Sequence, residues 1–231
     1  MTLILGALDA EIAAVVAAMR EPRNEAWHGF PVYHGTLAGE TVVVSRSGVG
    51  KTQSAMITQH LIDAARPERL IFTGIAGSLS AELDLGDMVI GSQTVQHDMD
   101  VTQMGFAPGQ IPYTDYRILQ ADPALVASAQ EIRPRHGKAM TGLILTGDQL
   151  IGSSEVRERL TSTFGGLAVE MEGASVALVA TINAVPFLLL RTISDHADES
   201  VVDFEQLLSV AAENSRHYLT TMLQQIQEQS R

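Results

Sequence analysis

Five short runs are apolar on every residue: Leu3-Ile4-Leu5, Val42-Val43-Val44, Leu70-Ile71-Phe72, Leu143-Ile144-Leu145 and Leu188-Leu189-Leu190. They alternate with stretches of helical periodicity. A strand with no polar face must be covered on both sides, and crossover helices do this for a mostly parallel sheet. The pattern therefore predicts an α/β fold.

In order, the reading places a strand over 1–8 and a helix from Asp9, taken as its N-cap, to about Arg20. Ile12, Val15, Val16 and Met19 form the apolar face of that helix. Strands at 31–37 and 41–46 flank the turn Leu37-Ala38-Gly39-Glu40, and a helix over 51–65 is closed by Pro67. Strands follow at 70–73 and 87–97, a helix at 123–133 and a strand at 141–146. A helix at 153–163, a short strand at 167–169, a helix at 173–183, a strand at 186–193 and a last helix at 203–227 complete the chain. Residues 100–121 hold Gly, Pro and Gln without periodicity and read as a long loop, a length that is usually functional. No repeat, low-complexity segment or linker interrupts the sequence, so residues 1–231 are read as one domain.

Composition removes several function classes. Fifteen Lys+Arg against 27 Asp+Glu leave a net charge of −12, which argues against nucleic acid or an anionic membrane as partner. With 45% hydrophobic and 18% charged residues the chain is not disordered. It has no Cys, hence no disulfide, thiolate metal site or thiol nucleophile. The N-terminus lacks a basic region and meets Asp9 and Glu11 at once, unlike a signal peptide. No apolar run approaches the ~18 residues of a membrane span. These features read as a cytoplasmic protein.

Ligands of open α/β sheets bind beyond the carboxyl ends of strands. The segments there are Gly6 to Glu11, Ser47 to Lys51, Thr73 to Gly77, Thr146 to Ile151, Glu170 to Glu172 and Ser194-Asp195. Ser47-Gly48-Val49-Gly50-Lys51-Thr52 resembles the end of a phosphate loop, but Ser45 stands where the full pattern needs Gly. A glycine turn that lets the backbone approach a small ligand is preferred, against a plain turn with Lys51 solvated. Glu170-Met171-Glu172 is the strongest signal: two acids inside an apolar stretch, costly unless paired or used. If extended, both acids share one face and Met171 the other; the alternative is a helix N-terminus that favours acids. Asp195 ends the most apolar strand, where poor solvation suits it to proton donation near neutral pH, although an N-cap explains it equally well. By spacing alone Glu11 is a first-turn acid. His97, Asp98 and Asp100 fit no metal-ligand spacing and read as hydrogen-bonding loop residues. There is no Gly-x-Ser-x-Gly elbow.

Taken together, Gly6-Ala7-Leu8-Asp9-Ala10-Glu11, Ser47-Gly48-Val49-Gly50-Lys51, Thr73-Gly74-Ile75-Ala76-Gly77, His97-Asp98-Met99-Asp100-Val101-Thr102, Thr146-Gly147-Asp148, Val169-Glu170-Met171-Glu172-Gly173 and Ser194-Asp195 occur in a recognisable order. Over essentially its whole length the chain resembles the 5′-methylthioadenosine/S-adenosylhomocysteine nucleosidases of the purine nucleoside phosphorylase superfamily. The resemblance implies a three-layer α/β/α sandwich with a mixed, partly barrel-like central sheet, a homodimer, and no metal or organic cofactor. It implies hydrolysis of the N-glycosidic bond of an adenine nucleoside with a 5′-thioether, releasing adenine and the 5-thio-ribose. By the same resemblance Asp195 protonates N7 of adenine, Ser194 orients Asp195, and Glu11 activates water with help from Glu170. Glu172 accepts the ribose hydroxyls, Met171 packs on the sugar and the backbone of Ile151 reads the adenine edge. Val49, Ala76 and Gly77 border the substrate. Val101, Met104, Phe106 and Pro112 match positions that reach a partner subunit's 5′-pocket, and Phe204 an aromatic that closes the site. Many members have Ser at the position of Ile75 and an aromatic at that of Leu150, both beside the ligand. Nucleosidases acting on aminodeoxyfutalosine share most of these residues.

A phosphate-dependent phosphorylase of the same fold would need cations around its phosphate. The segment Leu3 to Met19 has no Lys or Arg, and Glu11 would repel an anion there. A non-catalytic nucleoside-binding protein is the other rival, and the complete set of acids weighs against it.

Overall fold

The structure is a computed structural model that describes residues 1–200 and 204–229; the side chains of Phe204 and Gln229 lie outside the described set. The elements are β1 (Thr2–Gly6), α1 (Asp9–Ala18), β2 (Arg20–Trp27), β3 (Phe30–Leu37), β4 (Glu40–Arg46), α2 (Lys51–Ala65), β5 (Arg69–Ser78), β6 (Met88–Gln96), β7 (Leu119–Gln120), α3 (Pro123–Gln130), β8 (Ala139–Thr146), α4 (Ser154–Phe164), β9 (Ala168–Glu170), α5 (Gly173–Ile182), β10 (Phe187–Asp195) and α6 (Phe204–Gln229).

The sheet has two parts. Strands β5, β9, β8, β6 and β10 form a closed ring, because β10 pairs with both β6 and β5. From β5 an open arm continues through β1, β4, β3 and β2. β1 runs parallel to β4 and β5, β10 to β5, and β8 to β6 and β9. The pairs β2–β3, β3–β4, β5–β9, β6–β7 and β6–β10 are antiparallel. The sheet is therefore mixed rather than mostly parallel. A fully buried strand looks the same in either direction, so an apolar run does not encode pairing sense.

Helix pairs cover the sheet, α1 with α6 and α2 with α5. The β4-to-β5 crossover steps over β1 in one direction and the β1-to-β4 connection steps back in the other, so α1 and α2 fall on opposite faces. The main core takes both faces of β1, β5 and β10 with the inner stripes of these helices. A smaller core of Leu79, Val95, Leu143, Leu145 and Leu160 lies under α4.

Most element positions agree with the sequence pattern. β2 does not: its residues Arg20 to Ala26 are exposed, so no apolar alternation marks it. Its charged side chains suit an edge strand, where they oppose pairing with another chain. Leu8 rather than Asp9 is the N-cap of α1, and Asp9 is its first helical residue. The long loop contains a 3-10 turn at Thr102–Met104 and the short β7.

Leu189 is fully buried and lies opposite both Phe72 on β5 and Gly91 on β6, where β10 closes the ring. Leu189→Ala should lower the unfolding free energy by about 2–5 kcal/mol, as for other truncations in tight cores. Denaturant melts of the two proteins check it; a loss well under ~1 kcal/mol would show that the seam repacks freely.

Candidate active site

Four carboxylates, those of Glu11, Glu170, Glu172 and Asp195, line one cavity of about 190 Å³ at the carboxyl ends of β1, β5, β9 and β10. Among the described residues no Lys or Arg lines it. How each acid gets there follows from local structure.

Glu11 sits in the first turn of α1 and is 3% exposed. It folds back so that Oε2 accepts the N–H of Leu8 at 2.9 Å, while Oε1 accepts the N–H of Ile75 at the end of β5, also at 2.9 Å. The same carboxylate thus caps α1 from its first turn, as spacing predicts, and lines the cavity. A Cβ on residue 74 would come within 2.5 Å of Glu11 Oε1, so Gly74 is what admits the carboxylate. Burial raises the pKa of Glu11, opposed by the charge of Arg191 and by its backbone donors. A carboxylate shifted in this direction is a better base near neutral pH.

Asp195 and Ser194 both line the cavity although they are consecutive in a strand. The register of β10 against β5 slips between Ile193 and Asp195, a β-bulge at Ser194. A bulge re-aims a side chain that alternation would send to the opposite face. Ser194 Oγ then donates to Asp195 Oδ2 at 2.8 Å, and the N–H of Ala197 donates to Oδ1 at 2.8 Å. A Cβ on residue 77 would lie 2.7 Å from Oδ1, so here too the glycine of the β5 terminus leaves room for an acid.

Glu170 ends β9 and is committed to protein partners. Oε2 pairs with Arg191 Nη2 at 2.6 Å, with the two side chains 3% and 1% exposed. Both oxygens accept the N–H of Gly173, at 2.9 and 2.7 Å, and Thr146 Oγ1 donates to Oε1. Glu170 therefore caps the N-terminus of α5. The extended reading of Glu170-Met171-Glu172 holds only through Glu170: the chain turns at Met171, Glu172 becomes the N-cap residue of α5, and all three side chains line the cavity.

Glu172 is buried and, among the described residues, its carboxyl accepts one hydrogen bond, from the N–H of Gly50 at 2.7 Å. Its pKa is pushed up to about 8, first by burial and then by the charge of Glu170. Arg191 is the functional residue that sequence reasoning missed. A single Arg within the most apolar strand, Leu188-Leu189-Leu190-Arg191-Thr192-Ile193, was the available signal.

The glycine turn before α2 brings Val49 to the cavity. Gly50 has φ of +88°, a conformation that side chains oppose. The first N–H groups of α2 already have acid partners, Gly50 with Glu172 and Lys51 with Asp148 Oδ1 at 2.7 Å. A phosphate loop would keep those donors for its ligand. Lys51 is not solvated: Nζ pairs with Asp98 at 2.7 Å and reaches Gln96 at 3.2 Å. Asp98 also accepts the N–H of Asp148, and Asp100 accepts from Thr102. These acids serve as hydrogen-bonding loop residues. Burial holds His97 below its ordinary pKa.

Ile75, Ala76, Gly77, Leu150 and Met171 also line the cavity. Leu150 is 84% exposed and forms an apolar wall of the cavity. Ile151 borders an adjoining pocket of about 30 Å³ together with Gly77 and Asp195. Val101, Met104, Phe106 and Pro112 do not line the cavity of their own chain. Met104 is 59% exposed, and Phe106 packs edge-to-face on the exposed Tyr113. Phe204 lies outside the described side chains.

The family model of the phosphorylase superfamily matches residues 2–224, and the chain belongs to that superfamily. A 5′-methylthioadenosine/S-adenosylhomocysteine nucleosidase from Glaesserella parasuis is 36% identical over 95% of this chain and 96% of its own. The Neisseria meningitidis nucleosidase of that name, solved with methylthio-immucillin-A, superposes with a TM-score of 0.90 at 33% identity, covering 97% of this chain and 98% of its own. A Helicobacter pylori structure described as futalosine hydrolase superposes equally, with TM-score 0.90, 33% identity and 97% of each chain. Within the superfamily the chain belongs to the 5′-methylthioadenosine/S-adenosylhomocysteine nucleosidases.

The shift of Glu172 predicts a pH effect on stability. Its folded pKa, about 8, lies above the ordinary 4.5, so the folded state holds a proton that the unfolded state releases. The associated stability is full below pH 4.5 and declines as pH rises to about 8. Glu172→Gln lacks this decline, so its stability relative to the parent should rise between those values and level off above. Denaturation at a series of pH values reads the difference directly; a pH-independent difference would contradict the shift.

Proposed function

We propose that this chain hydrolyses the N-glycosidic bond of 5′-methylthioadenosine and S-adenosylhomocysteine, releasing adenine and the 5-thio-ribose. The observation that carries the choice of hydrolysis over phosphorolysis is the cavity lined by four acidic side chains with, among the described residues, no Lys or Arg in its lining. Such a site repels phosphate and tolerates water.

In this reading Asp195, oriented by Ser194, is the general acid that protonates N7 of adenine and makes the base a better leaving group. Glu11 is the base that positions and deprotonates the attacking water, consistent with its raised pKa. Glu172, with only the Gly50 N–H as partner among the described residues, has lone pairs left for the ribose hydroxyls. Met171 packs on the sugar. Glu170 has its acceptors filled by protein donors, so it supports Glu11 through Arg191 rather than by touching the water. Adenine lies between Leu150 and the Gly77 end of β5, with the backbone of Ile151 at its edge. Val49, Ile75 and Ala76 complete the walls.

The equal superposition on a futalosine hydrolase supports a second substrate reading, aminodeoxyfutalosine, with the same residues in the same roles. The chain acts as one domain over residues 1–231, since the closed ring and the open arm share β5 and the two cores lie on one sheet. A homodimer is supported by the apolar side chains left exposed at the rim of the two concavities, Val49 and Met56, and in the 100–121 loop, Met104 and Tyr113. Among the described residues no helix is long and apolar enough to cross a membrane. We place the enzyme in the cytoplasm, in methionine salvage, on the strength of its proposed substrates.

Three outcomes test this reading. Incubation with 5′-methylthioadenosine in phosphate-free buffer should yield adenine and free 5-methylthioribose in equal amounts; strict dependence on added phosphate would make the chain a phosphorylase. Asp195→Asn should lower turnover by ~10²–10⁴-fold while retaining nucleoside binding, and near-normal turnover would remove Asp195 from the mechanism. Phe106→Ala should weaken both substrate binding and the dimer; fully active monomer at nanomolar concentration in sedimentation would show that the 100–121 loop serves neither.

A further inference from the structure

A second concavity, about 530 Å³, opens beside the first and shares Ala7 and Val49 with it. Phe30 and Arg46 line it, with His28 and Met56 at the sides. A long substituent leaving the nucleoside cavity across Ala7 and Val49 would enter it.

Arg46 ends β4 with its side chain 33% exposed. Nη2 donates to the carbonyl of Gly29 at 2.9 Å, and Nη1 lies 3.4 Å from Asp9 Oδ2. The guanidinium carbon is 5.8 Å from the centre of the Phe30 ring. Nε has no hydrogen-bond partner among the described residues. Of the five donors that a guanidinium offers, two are used and the Nε–H is buried, which leaves one N–H on each terminal nitrogen for a ligand. Asp9, 70% exposed at the other end of a long contact, screens the charge weakly. In a chain of net charge −12 this is a local cation facing a groove that continues from an acid-lined site.

We propose that Arg46 and Asp9 form a subsite for the zwitterionic α-amino-acid end of a long 5′-substituent. The guanidinium takes the carboxylate and Asp9 takes the ammonium. The inference rests on the nucleosidase reading and deepens it: a methylthio group ends at the Ala7–Val49 rim, whereas a homocysteinyl chain continues into the groove. Arg46 then sets the preference between the two substrates while the bond-breaking groups stay the same.

The test compares kcat/KM for S-adenosylhomocysteine and 5′-methylthioadenosine in the parent, Arg46→Gln and Arg46→Lys. Loss of a charge-assisted hydrogen bond to a carboxylate should lower the ratio of the two values about tenfold in Arg46→Gln, through KM. Arg46→Lys should restore part of it. The adenosine 5′-thioether that keeps the amine but lacks the carboxylate should show no such fall. A ratio within twofold of the parent overturns the subsite. So does a parallel loss on both substrates with loss of the dimer, which would assign Arg46 to subunit packing. Inhibition by inorganic phosphate that Arg46→Gln abolishes equally for both substrates would assign the cation to a free anion and also overturn it. Failure of the nucleosidase reading is visible separately, as a parent enzyme that hydrolyses neither substrate. In that case, calorimetric binding of S-adenosylhomocysteine to parent and Arg46→Gln reads the subsite, and equal affinities overturn it.

Discussion

The site depends on one buried ion pair. Arg191 and Glu170 meet at 2.6 Å with almost no solvent access. Two charges at that depth are costly to desolvate, and the cost is offset only when their remaining donors and acceptors are filled. Here they are. Glu170 also holds the Thr146 hydroxyl and the first N–H groups of α5, and Arg191 Nη1 donates to the carbonyls of Phe72 and Leu190 and lies against the Phe72 ring. The pair thereby fastens β5, β8, β9, α5 and β10 at the end of the ring where the cavity opens. Removing either partner would strand the other charge, a loss of about 3–5 kcal/mol in comparable cases.

The same pair divides the work among the acids. Glu170 is consumed by structure, and its charge helps to keep Glu172 protonated well above the ordinary carboxylate range. Arg191 acts in the other direction on Glu11 and Glu172, lowering what burial raises. One cation behind the cavity wall thus tempers several acids in front of it without touching the substrate space. The glycines at the end of β5 serve this crowding: Gly74 and Gly77 leave the volume that the Glu11 and Asp195 carboxylates occupy.

Much of this was legible in the sequence, for identifiable reasons. Strands buried on both faces announce themselves by wholly apolar runs, and acids at their ends stand out because burial is costly. β2 was illegible because an exposed edge strand has no apolar face to display. The pairing sense of β6, β9 and β10 was illegible because a buried run carries no direction. The turn at Met171 was hidden for a similar reason: nothing in Glu170-Met171-Glu172 distinguishes a strand end from a helix cap until Glu170 is seen accepting the N–H of Gly173. Spacing gave Glu11 only its helical role, and the contact that makes it part of the site, with Ile75, joins residues 64 positions apart.

The electrostatics bear on the choice of nucleophile. At a separation of about 4 Å and an effective dielectric constant of about 20, two like unit charges repel by about 4 kcal/mol. A phosphate anion beside Glu11 would meet that repulsion with no lining cation among the described residues to offset it. A neutral water meets none, and in the proposed reaction it gains Glu11 as a base whose pKa is raised by the same burial. In the proposed reaction, positive charge builds on the sugar beside Glu11 as the glycosidic bond lengthens, while Asp195 neutralises the departing base. On this reading the Glu11 carboxylate that excludes phosphate from the ground state also stabilises the charge that develops in the transition state. Beyond the rim, Arg46 attracts an anionic tail without placing a cation next to that developing charge. The proposed reaction and the proposed preference for a long substituent thus rest on two different charges, kept apart by Ala7 and Val49.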